Sequence, residues 1–126
     1  MVASYRDLKV WQQSMDLVEK VYLATAEMPR DEIYGLTSQV RRAAVSVLAN
    51  IAEGYGRDST GAYTQFLKIA RGSLRELETH LLIVKRLGLL GDPGVDDALV
   101  RAETIGKMLT SLVKVIESRC EAQKRV

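Results

Sequence analysis

Apolar residues recur along the chain at intervals of three and four, and turn residues divide them into four blocks. Pro29, Pro93 and the turn-rich stretches 28–35, 54–61 and 88–94 supply the punctuation. Each block is long for a strand, so the spacing predicts four helices, over about residues 7–28, 37–55, 60–87 and 93–122. In the first, Leu8, Trp11, Met15, Val18 and Tyr22 form one stripe, and Val10, Leu17, Val21, Ala24 and Met28 form its neighbour. Together they cover about half of the helix surface, more than a single packing neighbour requires, which predicts contact with two. The inward face of the second helix is Val40, Ala44, Val47, Leu48 and Ile51, and that of the third is Phe66, Ala70, Leu74, Leu77, Leu81 and Val84. Leu99, Ala102, Ile105, Leu109, Leu112, Val113, Ile116 and Cys120 make that of the fourth. Asp7, Thr37 and Ser59 or Thr60 are the expected N-caps of the first three helices. Gly54 and Gly56 are the expected stop of the second, and Asp92 with Pro93 opens the fourth. Four such helices, about 28 to 45 Å long and joined by short loops, make an all-α, antiparallel up-and-down four-helix bundle, one domain over residues 1–126.

Composition narrows the function classes. With 126 residues and 47% apolar content, the chain can bury a core without disulfides or a structural metal. Cys120 is the one cysteine and cannot form an internal bridge; with no signal peptide, a reducing cytoplasm is the expected compartment. No apolar run approaches the roughly 20 residues that cross a bilayer. A zinc finger is excluded, and a Ser-His-Asp or Cys-His site would have to use His80, which has no evident partner in sequence. The glycines between 54 and 61 do not follow a strand and do not match a phosphate-binding loop. The expectation is a protein that is not an enzyme, with no catalytic residues, cofactor, metal or small-molecule substrate.

Two surface features stand out. On the second helix Gln39, Arg42, Ser46, Asn50 and Glu53 project within about 80° of one another, with Arg57 just past the end. An otherwise Ala, Val, Leu and Ile helix does not need this row for solubility. It reads either as a hydrogen-bonded seam, within the fold or between subunits, or as a ligand or RNA groove; helix-spaced polar rows are mostly structural. On the third helix Lys68, Arg71, Arg75 and Arg86 fall within about 60°. This row reads as a solvated face or, joined by Arg41, as a set of RNA phosphate contacts. Without interleaved aromatic residues, such contacts would read backbone and shape more than sequence. Gly72 shares that face in mid-helix, where an exposed glycine costs about 1 kcal/mol relative to Ala. Its presence suggests close approach by another backbone or side chain, as in an oligomer contact, or a slight bend.

Four blocks carry a family resemblance: residues 5–12 (YRDLKVWQ), 34–46 (YGLTSQVRRAAVS), 50–54 (NIAEG) and 70–79 (ARGSLRELET). In this order they resemble the bacterial four-helix bundle protein family, which includes proteins encoded within intervening sequences of large-subunit ribosomal RNA genes. The resemblance runs from about Tyr5 to Leu90 and implies a left-handed up-and-down bundle that assembles into a homopentamer. Accessory proteins of diversity-generating retroelements are similar in fold; they form basic pentameric barrels that bind nucleic acid and a reverse transcriptase. The family's motif residues fall on Gln39, Arg42, Ser46, Asn50 and Glu53, together with Gly54, Arg57, Gly72, Ser73 and Glu76. One departure is Leu48, where similar members often carry Pro, so a kink in the second helix is reduced here. The chain's net charge is only +2, a modest polycation even when repeated in a pentamer. Two functions are therefore expected. One is a homo-oligomeric RNA-associated protein using its basic face; the other is a protein-interaction scaffold without nucleic-acid binding.

Overall fold

The computed structural model describes residues 3–124 and contains four long helices and, among the described residues, no strand. Residues 1, 2, 125 and 126 of the expected domain lie outside the described residues. Helix α1 spans Lys9–Thr25, α2 Leu36–Tyr55, α3 Thr60–Arg86 and α4 Asp92–Lys124. Each packs on two others, α1 on α2 and α4, and α3 on α2 and α4. Contacts between consecutive helices run in opposite senses. Ser46 meets Ser73 while Gly54 meets Phe66, and Lys85 meets Asp96 while Lys68 meets Glu117. The result is the expected antiparallel up-and-down bundle around one core.

Local chemistry sets the helix ends. A 3-10 turn, Tyr5–Asp7, precedes α1, and Ser4 caps it: Arg6 N–H donates to Ser4 Oγ at 3.2 Å. Asp7 therefore closes a capping box by accepting from Ser4 N–H, and does not cap α1 itself. Helix α1 stops at Thr25, before Met28, as Thr25 Oγ1 turns back to donate to the Val21 carbonyl at 2.7 Å. Thr37, expected as the cap of α2, lies inside the helix, buried with Oγ1 unpartnered. Gly35 occupies the cap position, and Glu32 Oε2 accepts from Leu36 N–H at 3.2 Å. Ser59 caps α3 as expected, accepting from Ala62 N–H at 3.1 Å. At the other end Gly88 takes φ +65°, which lets Leu89 N–H reach the Val84 carbonyl and Gly88 N–H reach that of Lys85. This double bond is the Schellman arrangement, and it turns the chain toward α4.

Leu17, Val40, Val47, Ile51, Leu74, Leu77, Ile105 and Leu109 are wholly buried at the centre. Several details differ from the sequence expectation. Leu67 is wholly buried where Phe66 is half-buried at the rim, and Val95 and Ala98 join the core from the acidic start of α4. Met15 and Tyr22 remain 40% and 42% exposed; α1 meets its two neighbours through Val10, Ser14, Leu17 and Val21. Gly54 does not end α2 but lies buried within it. A Cβ there would sit 2.7 Å from Phe66 Cβ, so the missing side chain is what admits α3.

Candidate functional site

The polar row on α2 divides into parts with different neighbours. Ser46 and Asn50 are half-buried against α3. Ser46 Oγ and Ser73 Oγ are 2.8 Å apart, and Asn50 Nδ2 donates to the Ser46 carbonyl at 2.8 Å and to Ser46 Oγ at 3.1 Å. These groups form an intrachain seam. At the end of α2, Arg57 pairs with Glu53 at 2.7 Å and lies over the Phe66 ring, 4.7 Å from its centre, shielding the rim of the core. Gln39 and Arg42 project outside the seam and are exposed.

The row on α3 is turned toward α4 and partly neutralised. Lys68 Nζ lies 3.3 Å from Glu117, Arg71 Nη1 donates to Thr110 Oγ1 at 3.3 Å, and Arg75 pairs with Glu78 at 2.7 Å. Arg86 has no carboxylate partner among the described residues. Beside this row runs an open groove of about 560 Å³ between α3 and α4, with Gly106 in its wall and Glu78, Glu103 and Lys107 along its edges. Gly72 is exposed, and a Cβ on it would meet nothing within 4 Å. The close approach expected at Gly72 is thus not made within the chain; Gly54 makes the tightest one, with Gly106 facing Leu74 and Gly94 facing Ala24 at ordinary contact distance.

Arg41 does not join the α3 row. It lies on the other side of α2, where Nε donates to Thr25 Oγ1 at 2.9 Å and the guanidinium sits 4.6 Å from the centre of the Tyr22 ring. Tyr22, Arg41, Arg42, Val45 and Ser46 line a second open cleft of about 390 Å³ between α1 and α2. Sequence spacing could not place Tyr22 beside two arginines, because their meeting depends on the register of α1 against α2.

Other reactive groups lie apart from these rows. His80 Nε2 lies 3.3 Å from Glu76, and its Nδ1 is buried without a partner. Cys120 is half-buried at the margin of the core, accepting from Thr60 Oγ1 at 3.4 Å. Burial raises the Tyr63 pKa above its ordinary value, and neighbouring Tyr55 adds to the effect. Lys85 is raised by its hydrogen bond to Asp96. Among the described residues no group of three or more His, Cys, Asp or Glu could hold a metal ion, and no helix is long and apolar enough to cross a membrane.

The family model of the 23S rRNA-intervening sequence protein matches residues 6–111, most of the chain, from before α1 into the middle of α4. The chain belongs to this family. A solved structure of a protein of unknown function from the S23 ribosomal protein family of Bacteroides thetaiotaomicron is similar to it, with a TM-score of 0.75 at 24% identity. That match covers 83% of this chain and 98% of the other. At this identity the likeness bears on the fold, and it agrees with the four-helix arrangement. No curated protein matches the chain.

Proposed function

We propose that this member of the family is a non-enzymatic, homo-oligomeric cytoplasmic protein that associates with RNA through its basic surface. The observation that most supports RNA contact is a set of arginines without a carboxylate partner. Arg41, Arg42 and Arg86 have no carboxylate within ion-pair distance among the described residues. Lys68 and Arg75 are themselves 43% and 64% exposed, and ion pairs of such surface side chains are weak enough to exchange a carboxylate for a phosphate. The family's name refers to an intervening sequence of 23S rRNA, a genetic context compatible with this reading. On the chemical side, the Ser46 hydroxyl is engaged by Ser73 and Asn50, and His80 is engaged by Glu76 rather than by a hydroxyl or thiol. Neither is an activated nucleophile with its base.

Assembly, as a pentamer by the family resemblance, is supported by one side of α3. Ile69, Ile83 and Leu87 are 43%, 39% and 62% exposed at helical spacing, with the open Gly72 between them. A second copy covering this stripe would bury apolar surface, and Gly72 would let it approach closely. The same stripe favours the second reading, a scaffold that docks another protein and does not bind nucleic acid. Light scattering combined with RNA crosslinking at two salt concentrations separates the two. The RNA reading expects a multimer whose crosslinks fade as salt rises; a multimer without crosslinks leaves the scaffold, and a monomeric mass removes assembly from both.

A further inference from the structure

We propose that the α1–α2 cleft receives single-stranded RNA, with a phosphate held between Arg41 and Arg42 and an unpaired base stacked on Tyr22. This inference rests on the RNA-associated reading above and names its contact site.

Arg41 is already held in place for such a contact. Thr25 Oγ1 is buried and donates its own proton to the Val21 carbonyl, so it has a lone pair for Arg41 Nε. The Tyr22 ring covers one side of the guanidinium. These two contacts fix the plane of the group and use only Nε, so both terminal nitrogens remain for the paired hydrogen bonds that a guanidinium gives a phosphate. Among the described residues no carboxylate lies within ion-pair distance of them. Arg42, next in sequence and exposed, is equally uncompensated and lines the same cleft.

The cleft also differs in charge from other depressions of the surface. The α3–α4 groove contains Glu78 and Glu103, and a cleft near Cys120 contains Glu117 and Glu121. Two clefts near the α1–α4 contact contain Glu27, one of them with Asp97. The α1–α2 cleft contains two arginines and no acidic side chain, which concentrates positive potential in one concave place. Tyr22 and Val45 supply what a simple anion would not use. They stay 42% and 40% exposed and line the same cleft as the arginines, giving an aromatic and an aliphatic surface beside the charges. Bases are free to stack in this way only when unpaired, which selects single strands over duplex.

The test is fluorescence anisotropy with a labelled oligouridylate of about 12 nucleotides and a duplex of equal length, titrated from about 50 to 200 mM salt. Variants are Arg42→Ala, Arg41→Lys, Tyr22→Leu and Tyr22→Phe, each checked for native helicity by circular dichroism. Arg42→Ala is expected to weaken binding and reduce the salt slope by about 1. Tyr22→Leu is expected to weaken single-strand binding about five- to 160-fold, the range for one stacked base, with Tyr22→Phe retaining it. Arg41→Lys, which keeps the charge and loses the planar fork, is expected to weaken binding too. If wild type binds but the cleft variants bind equally well, or if polyglutamate of equal charge displaces the RNA as effectively as unlabelled oligouridylate, the cleft assignment falls and the RNA reading stands. If wild type binds no RNA at low salt, both fall.

Discussion

Two helical glycines should respond oppositely to the same substitution. Alanine stabilises a helix interior relative to glycine by about 1 kcal/mol. At Gly72 nothing within 4 Å opposes the new methyl, so Gly72→Ala should deliver that gain nearly whole. At Gly54 the methyl would lie 2.7 Å from Phe66 Cβ, 3.2 Å from Tyr63 Cδ1 and 3.2 Å from the Tyr63 carbonyl oxygen. Two of those neighbours are a Cβ and a backbone atom, which move only if α3 moves. Overpacking of this kind costs about 1–3 kcal/mol, and the absence of a flexible neighbour puts Gly54→Ala in the upper part of that range. Subtracting the helix gain leaves a net loss of about 1–2 kcal/mol, and hence a gap of about 2–3 kcal/mol between the two variants. Urea unfolding followed by circular dichroism at several protein concentrations measures both and removes the contribution of assembly. Equal shifts for the two variants, or a stabilised Gly54→Ala, would refute the close approach of α2 and α3. A Gly72→Ala that loses stability only at high protein concentration would instead locate a subunit contact at Gly72.

Other expectations follow from the same geometry. Ile105→Ala empties a fully buried site and should cost about 2–5 kcal/mol in urea unfolding; a cost below about 1 kcal/mol would mean that the centre of the bundle is loosely packed. Ser59→Ala removes the side-chain acceptor for Ala62 N–H and should cost about 1 kcal/mol, with Ser59→Asp restoring it. The raised Tyr63 pKa predicts loss of stability in alkali. The folded state holds the phenolic proton more tightly than the unfolded state, so the contribution is complete below the ordinary value of 10.0 and declines as pH rises through the folded value. Unfolding curves between pH 9 and 11.5 should show a smaller alkaline decline in Tyr63→Phe than in wild type, and identical declines would exclude Tyr63 as the source.

Helices and core were legible in sequence because burial repeats with the helical period, whereas features that depend on how helices meet were not. The series through Ala70 and Leu74 extends backwards to either Phe66 or Leu67 at spacings of four and three. Packing chose Leu67 and left Phe66 at the rim beneath Arg57. Val95 and Ala98 were obscured by Asp92, Asp96 and Asp97, whose charges mark a helix start without saying which side is buried. Thr37 carried cap chemistry, but Glu32, from the preceding turn, reached the helix end. The polar row was visible as a row. Its division into the Ser46–Asn50–Ser73 seam and the exposed Arg42 was set by the neighbouring α3. The pairing of Tyr22 with Arg41 likewise had no signal in either segment alone.

The central claim, that an RNA backbone meets the basic surface of this bundle, is tested most directly by the salt dependence of RNA binding to the wild-type protein. The logarithm of the association constant should fall linearly and steeply with the logarithm of salt concentration, as each bound phosphate releases counterions. A flat dependence, or no association at the lowest salt, would contradict it.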